Sequence, residues 1–203
     1  MKLFHLIPIL GLAINFSGRP ASVKPQAVAS ASIGAPKEFV SGEDGEDEKI
    51  IPWTPTRKLV WDDFLCEPQK LGDAVASTST SLGLSYQVRD NKLTFHITCD
   101  FSKEKSWGAL RTSYILAHEQ GHFDITEIHA RKLYEALYQY ELNPANFKDD
   151  IATIYNSIVK DKEAMQEAYD GETDHSRKKG LQTDWLKRID TLLTDTEMFS
   201  TYP

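Results

Sequence analysis

The sequence is short of cysteine, of positive charge and of long apolar runs, and each shortage closes off a class of function. Only Cys66 and Cys99 occur in 203 residues, far from the short Cys-x-x-Cys spacing that favours a structural zinc site. No cysteine precedes Cys66, so a lipid-modified N-terminal cysteine is not expected. Outside the cytoplasm the pair could form a disulfide; two buried free thiols are the alternative. Lys and Arg number 23 against 30 Asp and Glu, and the net charge of -7 argues against a general nucleic-acid binder. The longest mostly apolar run, Leu3 to Phe16, is too short to span a bilayer comfortably, so no stable membrane insertion is expected of the mature protein. No internal repeat is present.

With Lys2 before it, that run reads as a signal peptide over residues 1–18, which places the mature protein outside the cytoplasm, in the periplasm or beyond. Residues 19–50 read as a disordered linker. Proline, alanine and serine dominate up to Pro36, and an acidic, glycine-broken run follows from Gly42 to Glu48. Such a composition buries too little apolar surface to offset its ordering entropy. Residues 51–203 are left as one folded domain, with 40% hydrophobic residues and four tryptophans across the chain for a core.

Between Thr112 and Asn143 there is no proline, and Gly121 is the only glycine. Ile115, His118, His122, Ile125, His129 and Leu133 recur at three- and four-residue spacing on one stripe. Leu116, Phe123, Ala130, Tyr134 and Leu137 make a second. This predicts a long helix covered on two sides, stopped by Asn143-Pro144. Within it lies His118-Glu119-Gln120-Gly121-His122. Two histidines four apart project from one helix face, so their ring nitrogens can converge on one zinc ion. Glu119, beside the ion without binding it, can take a proton from a metal-bound water.

Upstream, Arg57 to Trp61 reads as a short strand entering a turn, and Ala74 to Leu84 as extended chain. Leu84 to Val88 and Leu93 to Cys99 alternate about the turn residues Arg89-Asp90-Asn91, which predicts a hairpin in a small antiparallel sheet. Downstream, Phe147 to Tyr169 carries a second helical pattern, and Gln182 to Leu193 a third. Residues from about Thr194 are expected to fray.

A catalytic zinc usually takes three protein ligands and keeps one position for water. His129 is too far along the helix, about 10 Å beyond His122 at about 1.5 Å per residue. Thr126 stands where a metzincin would have its glycine. The polar segment Tyr169 to Ser176 remains, with His175 favoured as third ligand and Glu172 or Asp174 as alternatives. Asp124, Glu127 and Asp170 are candidates to orient the imidazoles, and Tyr169 or Arg177 to stabilise an oxyanion.

Several separated blocks together resemble a bacterial domain-of-unknown-function family classed as predicted secreted zinc-dependent proteases of the H-E-x-x-H type. They are Trp61-Asp62-Asp63-Phe64, Ser77 to Thr80, Ser106-Trp107, Leu116 to Ile125, Ala130-Arg131, Tyr169 to Thr173 with His175, and Gln182 with Trp185. The resemblance spans about residues 55 to 195. It implies His118 and His122 as metal ligands, Glu119 as catalytic base and the Tyr169–His175 block as source of the remaining ligand. The family often has glycine after the later histidine, where this chain has Ser176.

The expectation is therefore an exported α+β, zincin-like zinc metallopeptidase: a small antiparallel sheet on a long central metal-binding helix, with two further C-terminal helices. The expected catalytic residues are Glu119 and Tyr169, the metal ligands His118, His122 and His175, and the substrate a peptide or protein. Two rivals stand beside it. One is a zinc amide hydrolase acting on cell-wall peptides, and the other a non-catalytic binding domain that retains a metal.

Overall fold

The computed structural model describes residues 37–38, 49–69 and 74–203, all within one unit of the chain. The segment read as a signal peptide lies outside the described residues, as does most of the stretch read as linker. Among the described residues, six strands and three α-helices follow in order: β1 (Lys37–Glu38), β2 (Ile50–Pro52), β3 (Ala76–Ser77), β4 (Thr80–Arg89), β5 (Lys92–Ser102), β6 (Trp107–Gly108), α1 (Ser113–Gln139), α2 (Phe147–Thr173) and α3 (Lys179–Asp195). The protein is a mixed α+β fold.

The predicted hairpin is the centre of the sheet. β4 and β5 pair antiparallel from Thr80–Phe101 to Arg89–Lys92, joined by Asp90 and Asn91 at φ 50° and 60°. Both are left-handed, as a tight two-residue hairpin turn requires, and Asp and Asn tolerate that region. β2 adds antiparallel to β5, and β1 adds parallel to β4, giving the order β1-β4-β5-β2. Lys37–Glu38, inside the stretch expected to be linker, is thus a strand. β3 and β6 form a separate two-stranded ladder.

Arg57 to Val60 is irregular rather than a strand, and ends in a 3-10 turn at Trp61–Asp63. The cause is Asp63, whose carboxylate accepts from the Val60 amide at 2.8 Å and from Arg57 at 2.7 and 3.1 Å, curling the chain instead of leaving its backbone for a ladder.

α1 begins where the Thr112 hydroxyl accepts from the Ile115 amide, an N-cap that satisfies one of the helix's free donors. Its two apolar stripes are both covered, as their spacing predicts. Phe123, Ala130, Leu133 and Leu137 pack in one core with Leu82, Ile97 and Phe101 of the hairpin. Ile125 and Ile128 pack in a second core with Tyr169 of α2 and with Trp185 and Ile189 of α3. The first half of α2 joins the sheet core through Ile151, Tyr155 and Val159, and the Tyr155 hydroxyl donates to the Leu82 carbonyl at 2.8 Å.

The chain does not fray after Thr194. A 3-10 turn at Glu197–Phe199 leads back to α1, where the Tyr202 hydroxyl donates to Glu127 at 2.7 Å, and the Ile97 amide donates to the Pro203 carbonyl at 2.9 Å. Glu127 is buried and already paired with Arg131 at 2.7 Å, and Tyr202 satisfies its second oxygen. The cysteines are free thiols: Cys99 is buried in the sheet core, and the Cys66 thiol donates to its neighbour's carbonyl. Among the described residues, no helix is long and apolar enough to cross a membrane.

Candidate metal centre

Two antiparallel helices build the site by matching their repeats. α1 presents His118, His122 and Thr126 at four-residue steps. α2 presents Gln166, Asp170 and Thr173 at steps of four and three, with Tyr169 beside them. Gly121 sits between the two histidines where Tyr169 crosses α1; a Cβ there would lie 2.6 Å from the tyrosine hydroxyl and 2.9 Å from its ring. The glycine lets the tyrosine ring reach the helix backbone and stack on His118, with centroids 4.4 Å apart and planes at 25°.

The result is one tight convergence. His118 Nε2 and His122 Nε2 lie 3.3 Å apart, and Asp170 Oδ1 lies 3.0 Å from the first and 3.1 Å from the second. These three residues form the one group of metal-compatible side chains found among the described residues. A tetrahedral ion with bonds of about 2.0–2.1 Å holds its donors about 3.3–3.4 Å apart, so the observed triangle is close to what zinc would need. Side-chain exposure rises from 4% at His118 and 13% at His122 to 32% at Asp170, so solvent reaches the triangle from the α2 side.

The electrostatics are those of a coupled cluster. Burial pushes the Asp170 carboxyl up, but the hydrogen bonds from His118 and His122 outweigh it and hold it well below the usual carboxylate range. Burial pulls His122 down, yet Asp170, with Glu119 and Gln166 behind it, lifts its pKa to about 9.

Glu119 is 4% exposed, and its Oε2 has no hydrogen-bond partner. A buried carboxylate oxygen left unpaired is costly, and such groups mark sites where a missing water, ion or substrate completes the arrangement. His118 Nδ1 is unpaired in the same way.

The other expected residues are placed differently. His175, expected as third ligand, stands at the rim: its side chain is 57% exposed and its Nδ1 lies 3.6 Å from Asp170 Oδ1. Asp170, expected only to orient a histidine, takes the third corner instead. Helix α2 runs on to Thr173, and its rotation turns Asp170 toward α1. The same rotation sends Glu172 to Trp185, whose indole donates to it at 2.7 Å, while Asp174 pairs with Arg177 at 3.4 Å. Tyr169, expected to stabilise an oxyanion, is fully buried, its hydroxyl 3.4 Å from the His118 carbonyl. Burial raises the phenol's pKa far above its ordinary value, so the hydroxyl keeps its proton, and the ring stacks on His118. Asp124 faces the sheet side, accepting from Trp53 at 2.7 Å and Gln120 at 2.8 Å. His129 is buried and bonds the Ile125 carbonyl at 2.8 Å, apart from the cluster.

Gln166 is the residue that sequence reasoning missed. It hydrogen-bonds both His122 Nδ1 and the His122 carbonyl. Its sequence signal is its place four residues before Asp170 on one helix face.

Three consecutive non-glycine residues, Asp174, His175 and Ser176, follow α2 with φ of 52°, 49° and 71°. Each costs about 1–2 kcal/mol in that region. The turn is pinned by the amide of His175 on the Asp170 carbonyl at 2.9 Å and by the Tyr114 hydroxyl on the Ser176 carbonyl at 2.6 Å. This tethers His175 to the helix end that carries Asp170.

A family model described as "Bacterial protein of unknown function (DUF922)" matches residues 67–176, more than half of the chain. The chain belongs to that family. The DUF922 segment runs from just before β3 to the last residue of the left-handed turn, so it holds His118, Glu119, His122, Gln166, Asp170 and His175. Trp61 to Phe64, Gln182 and Trp185 lie outside it. No curated protein and no solved structure matches the chain.

Proposed function

We propose that the protein is an exported, zincin-like zinc metallopeptidase, with His118, His122 and Asp170 as the metal ligands and Glu119 as the general base. The observation that carries this reading is the triangle of two imidazole nitrogens and one carboxylate oxygen, 3.0 to 3.3 Å on a side, beside a buried carboxylate oxygen with no partner. Zinc bound there would polarise a peptide carbonyl and make a coordinated water more acidic.

The chain's own residues supply the rest. The two histidines and Asp170 fix the position of the reaction on rigid helices. Glu119 is close enough to act electrostatically on both His122 and Tyr169, and it would accept a proton from the attacking water and return it to the leaving amine. Exposed His175 lies on the open side, where a substrate carbonyl would enter.

The test is metal analysis of the purified protein, followed by cleavage of peptide substrates by the zinc-loaded wild type and Glu119→Gln. Zinc bound by both, with hydrolysis lower by about 10²–10⁴-fold in the variant, is the expected result. A wild type that binds no divalent metal would sink the proposal.

A further inference from the structure

The orientation of the Gln166 amide can be read without ambiguity. Its nitrogen must be the atom facing the His122 carbonyl at 2.9 Å and the Thr126 hydroxyl at 3.3 Å, because a flipped amide would set oxygen against a carbonyl oxygen. Thr126 is fixed in turn: it donates to the His122 carbonyl at 3.2 Å and meets the Thr80 hydroxyl at 2.8 Å, at the first residue of β4. With the nitrogen so placed, the Gln166 oxygen faces His122 Nδ1, and Nδ1 must carry a proton. The remaining ring nitrogen, Nε2, is the one aimed at Asp170 and His118.

We propose that Gln166 is the positioning residue that sets Nε2 of His122 as the metal donor, held in that role by Thr126 and Thr80. This rests on the metal reading above. The choice of an amide has a chemical consequence. Two neutral imidazoles and the Asp170 carboxylate leave a divalent ion with one net positive charge. A carboxylate at position 166 would hold the Nδ1 proton more strongly, make His122 a more basic ligand and weaken the ion's pull on a substrate carbonyl. An amide orients the ring without that loss of electrophilicity. His118 has no such partner on its Nδ1, so the two histidines are unequal ligands, with His122 the better oriented.

Zinc titration and imidazole nitrogen NMR of wild type, Gln166→Leu, Gln166→Glu and Thr126→Val test this. In the zinc-loaded wild type, His122 is expected to show metal at Nε2 and a slowly exchanging proton at Nδ1. Gln166→Leu is expected to weaken zinc binding by about 10- to 100-fold and to lose the Nδ1 protection. Gln166→Glu keeps an acceptor for Nδ1 but sets its second oxygen against the His122 carbonyl, so it should retain the Nδ1 proton and bind zinc more tightly than Gln166→Leu, while hydrolysing peptide more slowly than wild type. Thr126→Val, which removes one of the two acceptors of the amide, should weaken binding less than Gln166→Leu, and it serves if the leucine variant does not fold. Leucine and valine variants with wild-type zinc affinity and unchanged His122 signals would overturn the role of Gln166 while leaving the metal reading standing. Failure of the wild type itself to bind zinc would overturn both.

Discussion

Gly121 and Tyr169 occupy one another's space: the glycine's missing side chain is filled by the tyrosine's hydroxyl end, 2.6 Å from where a Cβ would be. The buried ring that results stacks on His118. Gly121→Ala gains about 1 kcal/mol of helix propensity. It must also displace a fully buried aromatic ring, an overpacking cost of about 1–3 kcal/mol. The net expectation is lower stability in urea denaturation, with zinc affinity falling because the His118 ring loses its brace. A stabilised variant with full zinc affinity would show that the contact is slack.

Asp170 and His175 are separable by substitution. Asp170→Ala should weaken zinc binding by more than about 100-fold, while His175→Ala should change it by less than about 10-fold, less than or similar to the loss of an orienting contact. Calorimetric titration of both variants checks this. The reverse order would make His175 the third ligand.

His129 gives stability a pH dependence of known sign. Burial lowers its pKa from 6.5 to about 4 in the folded protein. Between those values the unfolded chain binds a proton that the folded one refuses, so stability falls as pH drops from 6.5 toward 4. The contribution is about 3 kcal/mol at most, and it is fully present above 6.5. His129→Gln should flatten the acid side of the stability profile of the metal-free protein by up to that amount, measured by denaturant unfolding from pH 4 to 8.

Arg131 and Glu127 form a buried pair at 2.7 Å, with Arg131 also donating to the Leu193 carbonyl at 2.6 Å. Arg131→Met strands the Glu127 charge and should cost about 3–5 kcal/mol. Adding Glu127→Gln to it removes the stranded charge and should restore part of the loss. If the double variant is as unstable as the single, the charge is not the cause.

The hairpin, the long helix and its two covered faces were legible because period-2 and period-3.6 patterns are local properties of the chain. His118, Glu119 and His122 were legible for the same reason, since a helix alone fixes their mutual geometry. The third corner was not, because it depends on where α2 ends. Read as loop, Tyr169 to Ser176 favours His175 by ligand type; continued as helix to Thr173, it turns Asp170 inward. Gln166 was hidden because an orienting amide has no motif of its own. The ordered C-terminus was hidden because it answers Glu127, a buried charge that no local pattern announces. Ser176, where the resembled family often has glycine, does carry a physical signal: at φ 71° it holds the backbone shape that glycine adopts freely.

Because the triangle draws two corners from α1 and one from α2, 48 residues beyond His122, an ion shared by the three would act as a removable cross-link between distant parts of the chain. Its binding energy would then be folding energy, growing with the logarithm of free metal above the dissociation constant. Heat resistance would become a gauge of the surrounding zinc supply, and chelation would loosen the grip of the second helix on the first before any chemistry was lost to mutation.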